Sequence, residues 1–401
     1  MTKPHSLGIA VVLLIYAAFL SLGLPDGILG AAWPQIRAEF SARLNDNWRI
    51  LMLGTCGGLL SSTLSGPLLR RLGIRNVLLL TTFLTAAVVL GLASAPSLAV
   101  VSVLGFFLGL GNGAIDAGLN NFVANNLSSR HMNWLHAFWG VGISLGTLSV
   151  SGILAAGGSW RVAYALVGVL QLGLGVAFLL GLRGLPAASS APSASRSGQP
   201  SLGSTLAKPV AWASLASFFA YCGLESGIGV WISSVLHDGR GWSMQASSLM
   251  VSVYWSSLTV GRFLVGAVST RTSPMRLVRA ALLGVLAGTS LIAASSLVRA
   301  QVGLAGVLSA LGLLVTGLSL APIFPMLMHD TPRCVGRGHA LNLIGIQSGS
   351  GGLGYALLPV LMGALMRRYS TEWLGFMVTA LALALLALLA LRECSAVDAT
   401  A

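Results

Sequence analysis

An all-α polytopic membrane protein, with twelve transmembrane helices in two six-helix halves related by pseudo-two-fold symmetry, is predicted by three observations. The chain is 55% apolar and only 8% charged, with a mean hydropathy of +0.85, whereas soluble domains carry about 25% charged residues. Its apolar residues gather into segments of about 20 or more, the length that crosses a bilayer as a helix. One long polar interruption divides these segments six from six, and sequence on its two sides repeats at a spacing of about 200 residues.

In chain order the spans are 7–32, 49–69, 76–96, 98–125, 132–157 and 161–182, then 210–236, 245–268, 276–298, 301–328, 338–366 and 372–392. The first follows Lys3, but its apolar run outlasts the hydrophobic region of a signal peptide and no A-x-A-like cleavage site follows, so it reads as an uncleaved helix. Residues 183–209, rich in Ser, Ala and Pro, read as a flexible cytoplasmic linker. The expected domains are therefore 1–182 and 210–401, the second ending in a short tail. In span 10, Ala321-Pro322-Ile-Phe324-Pro325 predicts a kink, and in span 11 a cluster of glycines surrounds Gln347 ahead of Pro359.

Charge distribution favours one orientation. With both termini in the cytoplasm, fourteen Lys/Arg fall on that side and eight on the other, while Arg262 lies inside a span. The positive-inside rule favours this arrangement, and the expected location is a bacterial inner (cell) membrane. The net charge of +13 is thus accounted for by the lipid bilayer without nucleic acid. Cys56, Cys222, Cys334 and Cys394 lack paired metal spacing, which leaves packing or free thiols, and the histidines lack ligand spacing as well, so no metal is expected.

Three of the ten acidic residues, Asp26, Asp116 and Glu225, lie inside apolar spans. A carboxylate at the bilayer centre costs roughly 2.5 to 3.5 kcal/mol on insertion scales, so such a residue should face a protein interior or an aqueous cavity. The repeat relates two of them. Gly66-Pro-Leu-Leu-Arg70-Arg71-Leu-Gly73 is echoed by Gly266-Ala-Val-Ser-Thr270-Arg271-Thr-Ser273, pairing Gly66 with Gly266 and Arg71 with Arg271, and the same register sets Asp26 beside Glu225, one residue out of phase. Internal repeats of this kind put a substrate site between the halves near the membrane midplane.

Asp116 belongs to a different pattern. Asn112, Asp116 and Asn120 recur every four residues and share one helical face, beside a seam of Gly105, Gly109 and Gly113 that permits close packing. The face either lines a cavity or hydrogen-bonds neighbouring helices. In span 7, Tyr221 and Glu225 sit one turn apart among Gly223, Gly227 and Gly229; Glu225 serves either as a site residue or as the partner of another helix, Arg262 included. His136 and Trp139 in span 5, Tyr254 in span 8 and Gln347 in span 11 complete the candidate substrate contacts. For each, ordinary core packing is the competing reading.

At the loop between spans 2 and 3 the sequence resembles the major facilitator superfamily, whose G-x-x-x-D-R-x-G-R pattern is matched at Gly66, Arg71, Gly73 and Arg75. The resemblance implies a gating role for these residues and for the repeat-related Arg271. It departs at Arg70, where the family carries the acid that helps latch its cytoplasmic gate. Leu24-Pro25-Asp26-Gly27-Ile28-Leu29, with Trp33-Pro34-Gln35, and the run from Gly111 through Asp116 to Asn120 are similar to helices 1 and 4 of the fucose:proton symporter family, though Asn121 replaces its proline. That likeness implies proton coupling by Asp26 and Asp116, substrate contact by Asn120, and a monomer.

No phosphate-binding G-x-x-x-x-G-K-[ST] motif is present, so neither an enzyme nor a cofactor is expected. The leading expectation is proton-coupled symport of a small polar solute such as a sugar, with Asp26 and Asp116 carrying the proton and Asn112, Asn120, His136, Trp139, Tyr221, Glu225, Tyr254 and Gln347 contacting the substrate. Three alternatives stay open: proton-driven efflux of an amphipathic compound, sodium coupling through the oxygens of Asp116, Asn112 and Asn120, and a non-transporting receptor or scaffold.

Overall fold

A computed structural model describes residues 9–43, 46–181 and 200–398. Regular structure among the described residues is helical throughout, as an apolar solvent requires of a backbone that must satisfy its own hydrogen bonds. In chain order the helices are α1 (Ile9–Glu39), α2 (Asn47–Ala93), α3 (Leu98–Asn126), α4 (Ser129–Ala155), α5 (Trp160–Gly181), the short α6 (Leu202–Leu206), α7 (Pro209–His237), α8 (Met244–Val268), α9 (Pro274–Leu297), α10 (Val302–Leu320), α11 (Ile323–Val335), α12 (Arg337–Arg368) and α13 (Leu374–Asp398). Eleven helical runs among the described residues are long and apolar enough to cross a membrane.

Two departures from a one-helix-per-span pattern have local causes. The 47-residue α2 absorbs predicted spans 2 and 3 and breaks at Gly73, whose φ of 75° and ψ of 160° are non-helical. An unbroken helix of that length would reach roughly 70 Å, more than twice the hydrocarbon core. A positive φ is open to glycine at little cost, so the motif glycine is the point where the chain changes course. Predicted span 10 is conversely divided at Ala321-Pro322 into α10 and α11, where the proline nitrogen cannot continue the ladder.

The chain forms two compact units, Met1–Phe122 with Leu135–Gln199, and Val123–Trp134 with Pro200–Ala401. In unit 1, Ile28, Trp33, Val89, Val150, Trp160 and Tyr164 belong to one buried cluster. The glycine seam of α3 meets a matching seam of α2. A β-carbon on Gly109 would overlap the Gly54 carbonyl, and one on Gly113 would overlap Gly58 and Ser61, so the two backbones approach as small-residue packing allows.

Unit 2 includes the segment 123–134, which the sequence assigns to the first domain. Ser129 Oγ donates to the Ser269 carbonyl at 3.1 Å and Trp134 Nε1 to the Phe263 carbonyl at 3.3 Å. His329 Nε2 lies 3.1 Å from the Leu127 carbonyl; because a carbonyl only accepts, that nitrogen carries the hydrogen. The Trp134 indole also occupies the space a side chain at Gly266 would need. Most of the expected linker falls outside the described residues. Its last part is helical: α6 is capped by Ser201 and ties to α12 through Thr205 and His339, 3.0 Å apart, and through Asn342, which donates to the Pro200 carbonyl at 3.1 Å.

Candidate functional site: intramembrane acids in two units

Unit 1 holds a cavity of about 290 Å³ between α1, α2 and α3. Asp26, Thr55 and Asn112 supply its polar groups, and Leu29, Ile50 and Leu108 are among its apolar walls. Asp26 is exposed, and its carboxylate is hydrogen-bonded by the Trp139 side chain from α4. Asn112 adds a buried Oδ1 that accepts no hydrogen bond. Two predicted site residues from separate spans thus converge on one cavity, and a third holds one of them in place.

The polar face of α3 divides its work. Below Asn112 in the sequence, Asn120 Nδ2 donates to Asp116 Oδ1 at 3.0 Å, and His136 Nε2 stands 3.1 Å from Asn120 Oδ1. Since that amide oxygen accepts, Nε2 of His136 is the donor. Phe19 packs edge-on against the His136 ring, with centroids 5.3 Å apart. Asp116, Asn120 and His136 therefore form a hydrogen-bonded chain across α3 and α4, with Asn120 fully buried at its centre.

Unit 2 treats its acid differently. Glu225 is 5% exposed and Arg262 3% exposed, and Arg262 Nη2 lies 3.5 Å from Glu225 Oε2. That oxygen accepts no hydrogen bond. Tyr254 donates to the Glu225 main-chain carbonyl at 2.9 Å, and Tyr221 to the Leu320 carbonyl at 3.2 Å. Gln347 is fully buried with both ends of its amide engaged, donating to Ser214 Oγ at 2.6 Å and accepting from Thr331 Oγ1 at 3.1 Å. In this conformation Tyr221, Tyr254 and Gln347 tie helices of unit 2 together, the packing alternative that their sequence context left open.

Of the expected gate residues, Gly66 and Gly73 are buried, Arg75 is half-buried, and Arg71 and Arg271 are exposed. Three charged networks escaped the sequence reading. Arg161 pairs with Glu39, Arg240 with Glu372, and the fully buried Arg392 lies 3.6 Å from Asp330, which also accepts from Cys334 Sγ at 3.1 Å. Each acid stands at or just beyond a span boundary, where a charge reads as solvated. The detectable signal was an arginine at the matching end of another span.

The model of the Major Facilitator Superfamily matches residues 15–344. The chain belongs to the major facilitator superfamily. Among its relatives, "Bypass of stop codon protein 6" of Saccharomyces cerevisiae is 22% identical over 382 residues, covering 89% of this facilitator and 77% of the yeast protein. The E. coli fucose:proton symporter FucP superposes with a TM-score of 0.73 at 15% identity, covering 96% of this chain and 98% of that one. The human organic anion transporter MFSD10 does so with 0.76 at 17%, covering 95% and 99%. The proton:xylose symporter XylE gives 0.72 at 13%, with 95% of each chain covered. At these identities the facilitator shares their fold.

Proposed function

We propose that this facilitator is a secondary active transporter that couples a proton to the movement of a small polar solute, such as a sugar, by alternating access. The observation that carries the reading is the convergence of Asp26 and Asn112 on one cavity of unit 1, with the acid held by the neutral indole of Trp139. A carboxylate with a neutral donor gains or loses a proton without stranding a buried cation, which suits a group that must cycle between both states. The acceptor oxygens of Asp26 and Asn112 suit a hydroxyl-rich solute, and Asp116, linked through Asn120 to His136, supplies a second protonatable group. The likeness of the fold to two proton:sugar symporters supports the same reading.

In this proposal the break at Gly73 makes α2 two spans, so the eleven membrane-length runs become twelve, in two six-helix halves with both termini cytoplasmic. The protein acts as a monomer in a bacterial inner membrane. The test is uptake of a panel of sugars and polyols into proteoliposomes under an imposed pH gradient, with a sodium gradient as control. Accumulation that follows the pH gradient supports the proposal; accumulation that follows only sodium, or no flux of any solute, overturns it.

A second reading, proton-driven efflux of amphipathic compounds, is favoured by the fold likeness to an organic anion transporter. Direction separates the two. Gradient-driven loss of an organic anion, with no uptake of any neutral solute, selects efflux.

A further inference from the structure

Both units join the end of their first long helix to the start of their last by an ion pair. In unit 1, Glu39 closes α1 and Arg161 opens α5, with Nη2 of Arg161 2.6 Å from Glu39 Oε1. Trp160 Nε1 donates to Glu39 Oε2 at 2.7 Å, and the guanidinium also donates to the Ala93 carbonyl at 3.1 Å and the Ala95 carbonyl at 2.8 Å. In unit 2, Arg240 follows α7 and Glu372 precedes α13. Arg240 donates from Nε at 2.9 Å and from Nη2 at 2.6 Å to the two carboxylate oxygens, and to the hydroxyls of Ser295, Ser296 and Ser309 at 2.9 to 3.1 Å. The pairs occupy the same place in each unit, and Glu39 and Arg240 stand about 200 residues apart, in the register of the repeat.

Their charges are exchanged. The first helix carries the acid in unit 1 and the cation in unit 2; the last carries the cation in unit 1 and the acid in unit 2. We propose that this inversion specifies which first helix assembles with which last helix. The two units are built to one plan from one chain, so α1 offered to α13, or α7 to α5, is the natural assembly error. With the charges as they stand, the first error sets Glu39 against Glu372 and the second sets Arg240 against Arg161. Both cognate pairs attract and both wrong pairs repel, which is how specificity arises from a difference between competing partners. A brace alone would work equally well with the same sign order in both units.

The experiment compares two full-length variants. Reversing unit 2 alone, Arg240→Glu with Glu372→Arg, keeps both cognate pairs opposite in sign but makes the wrong pairs attractive. The serines around Arg240 can donate to a carboxylate as well as accept from a guanidinium, so this pair tolerates exchange better than the carbonyl-bound Arg161. Adding Glu39→Arg and Arg161→Glu reverses both units and restores the repulsion of wrong pairs. Monomer yield by size exclusion in detergent is the readout, with thermal unfolding of the monomer peak beside it. The two-residue variant should lose monomer by about threefold or more to swapped oligomers and aggregate, and the four-residue variant should recover at least half of that loss. If the four-residue variant yields no more monomer than the two-residue one, or if the two-residue variant loses none, the clasps are braces only and the proposal falls.

Discussion

Asp26 and Glu225 stand at related positions in the repeat, each on the first long helix of its unit, yet the two units hold them in opposite ways. Asp26 is exposed on a cavity and bonded by an indole N–H. Glu225 is buried 3.5 Å from a guanidinium. The difference decides what each can do. Protonating Asp26 removes one charge that has a neutral partner, whereas protonating Glu225 leaves Arg262 as a buried cation, and an uncompensated buried charge is far more expensive than a lost hydrogen bond. Glu372 and Asp330 of unit 2 and Glu39 of unit 1 are held as Glu225 is, each facing an arginine. Asp26 is therefore the acid suited to cycling, and the acids that face arginines are suited to staying charged.

The largest expected effect breaks the comparison at Asp26. Asp26→Asn should reduce gradient-driven accumulation by about a hundredfold or more, because an amide fills the same volume but cannot exchange a proton. Counterflow, which exchanges solute without releasing the proton, should survive. The measurement is uptake into proteoliposomes with and without an imposed pH gradient. Full gradient-driven accumulation by this variant would move coupling elsewhere, to the Asp116–Asn120–His136 chain in the first instance.

Next in size is the ion pair of unit 2. Arg262→Met strands the Glu225 carboxylate and should destabilise the protein by about 3 to 5 kcal/mol, seen as a large fall in the thermal midpoint in detergent. Adding Glu225→Gln should recover most of the loss, since removing both charges is far gentler than removing one. A double variant no more stable than Arg262→Met would mean that the pair is not what holds Glu225.

How far these features were legible follows from the range of the interactions. The helical membrane fold could be read because it needs only local composition, and the two main breaks could be read because Gly73 and Pro322 act on their own backbone. The α2–α3 seam was visible as Gly105, Gly109 and Gly113, although its partners Gly54 and Gly58 were not. Pairing across helices was legible only where one residue had few choices: Arg262, six residues from the nearer limit of its span, has few acids other than Glu225 to meet. Glu372 and Asp330 were missed because span-end charges look solvated in one dimension and only the packed helices bury them, and Glu39, which stays exposed, because its partner Arg161 lies on a distant span. Gln347, Tyr221 and Tyr254 carry the polarity of site residues, but sequence cannot tell a group aimed at a cavity from one consumed by a neighbouring carbonyl or hydroxyl.

The smallest expected effect tests the other arm of the comparison. Trp139→Phe removes the N–H that Asp26 accepts and leaves an aromatic ring in its place. If the indole is only a neutral tether, the thermal midpoint should fall by no more than about 1 kcal/mol in equivalent stability, the usual net worth of one hydrogen bond. Accumulation should stay within about threefold of the unaltered protein, because Asp26 keeps both its cavity and its proton. A loss as large as that of Asp26→Asn would show instead that the indole positions the carboxylate for the coupling step, and Trp139 would then stand beside Asp26 in the machinery of unit 1.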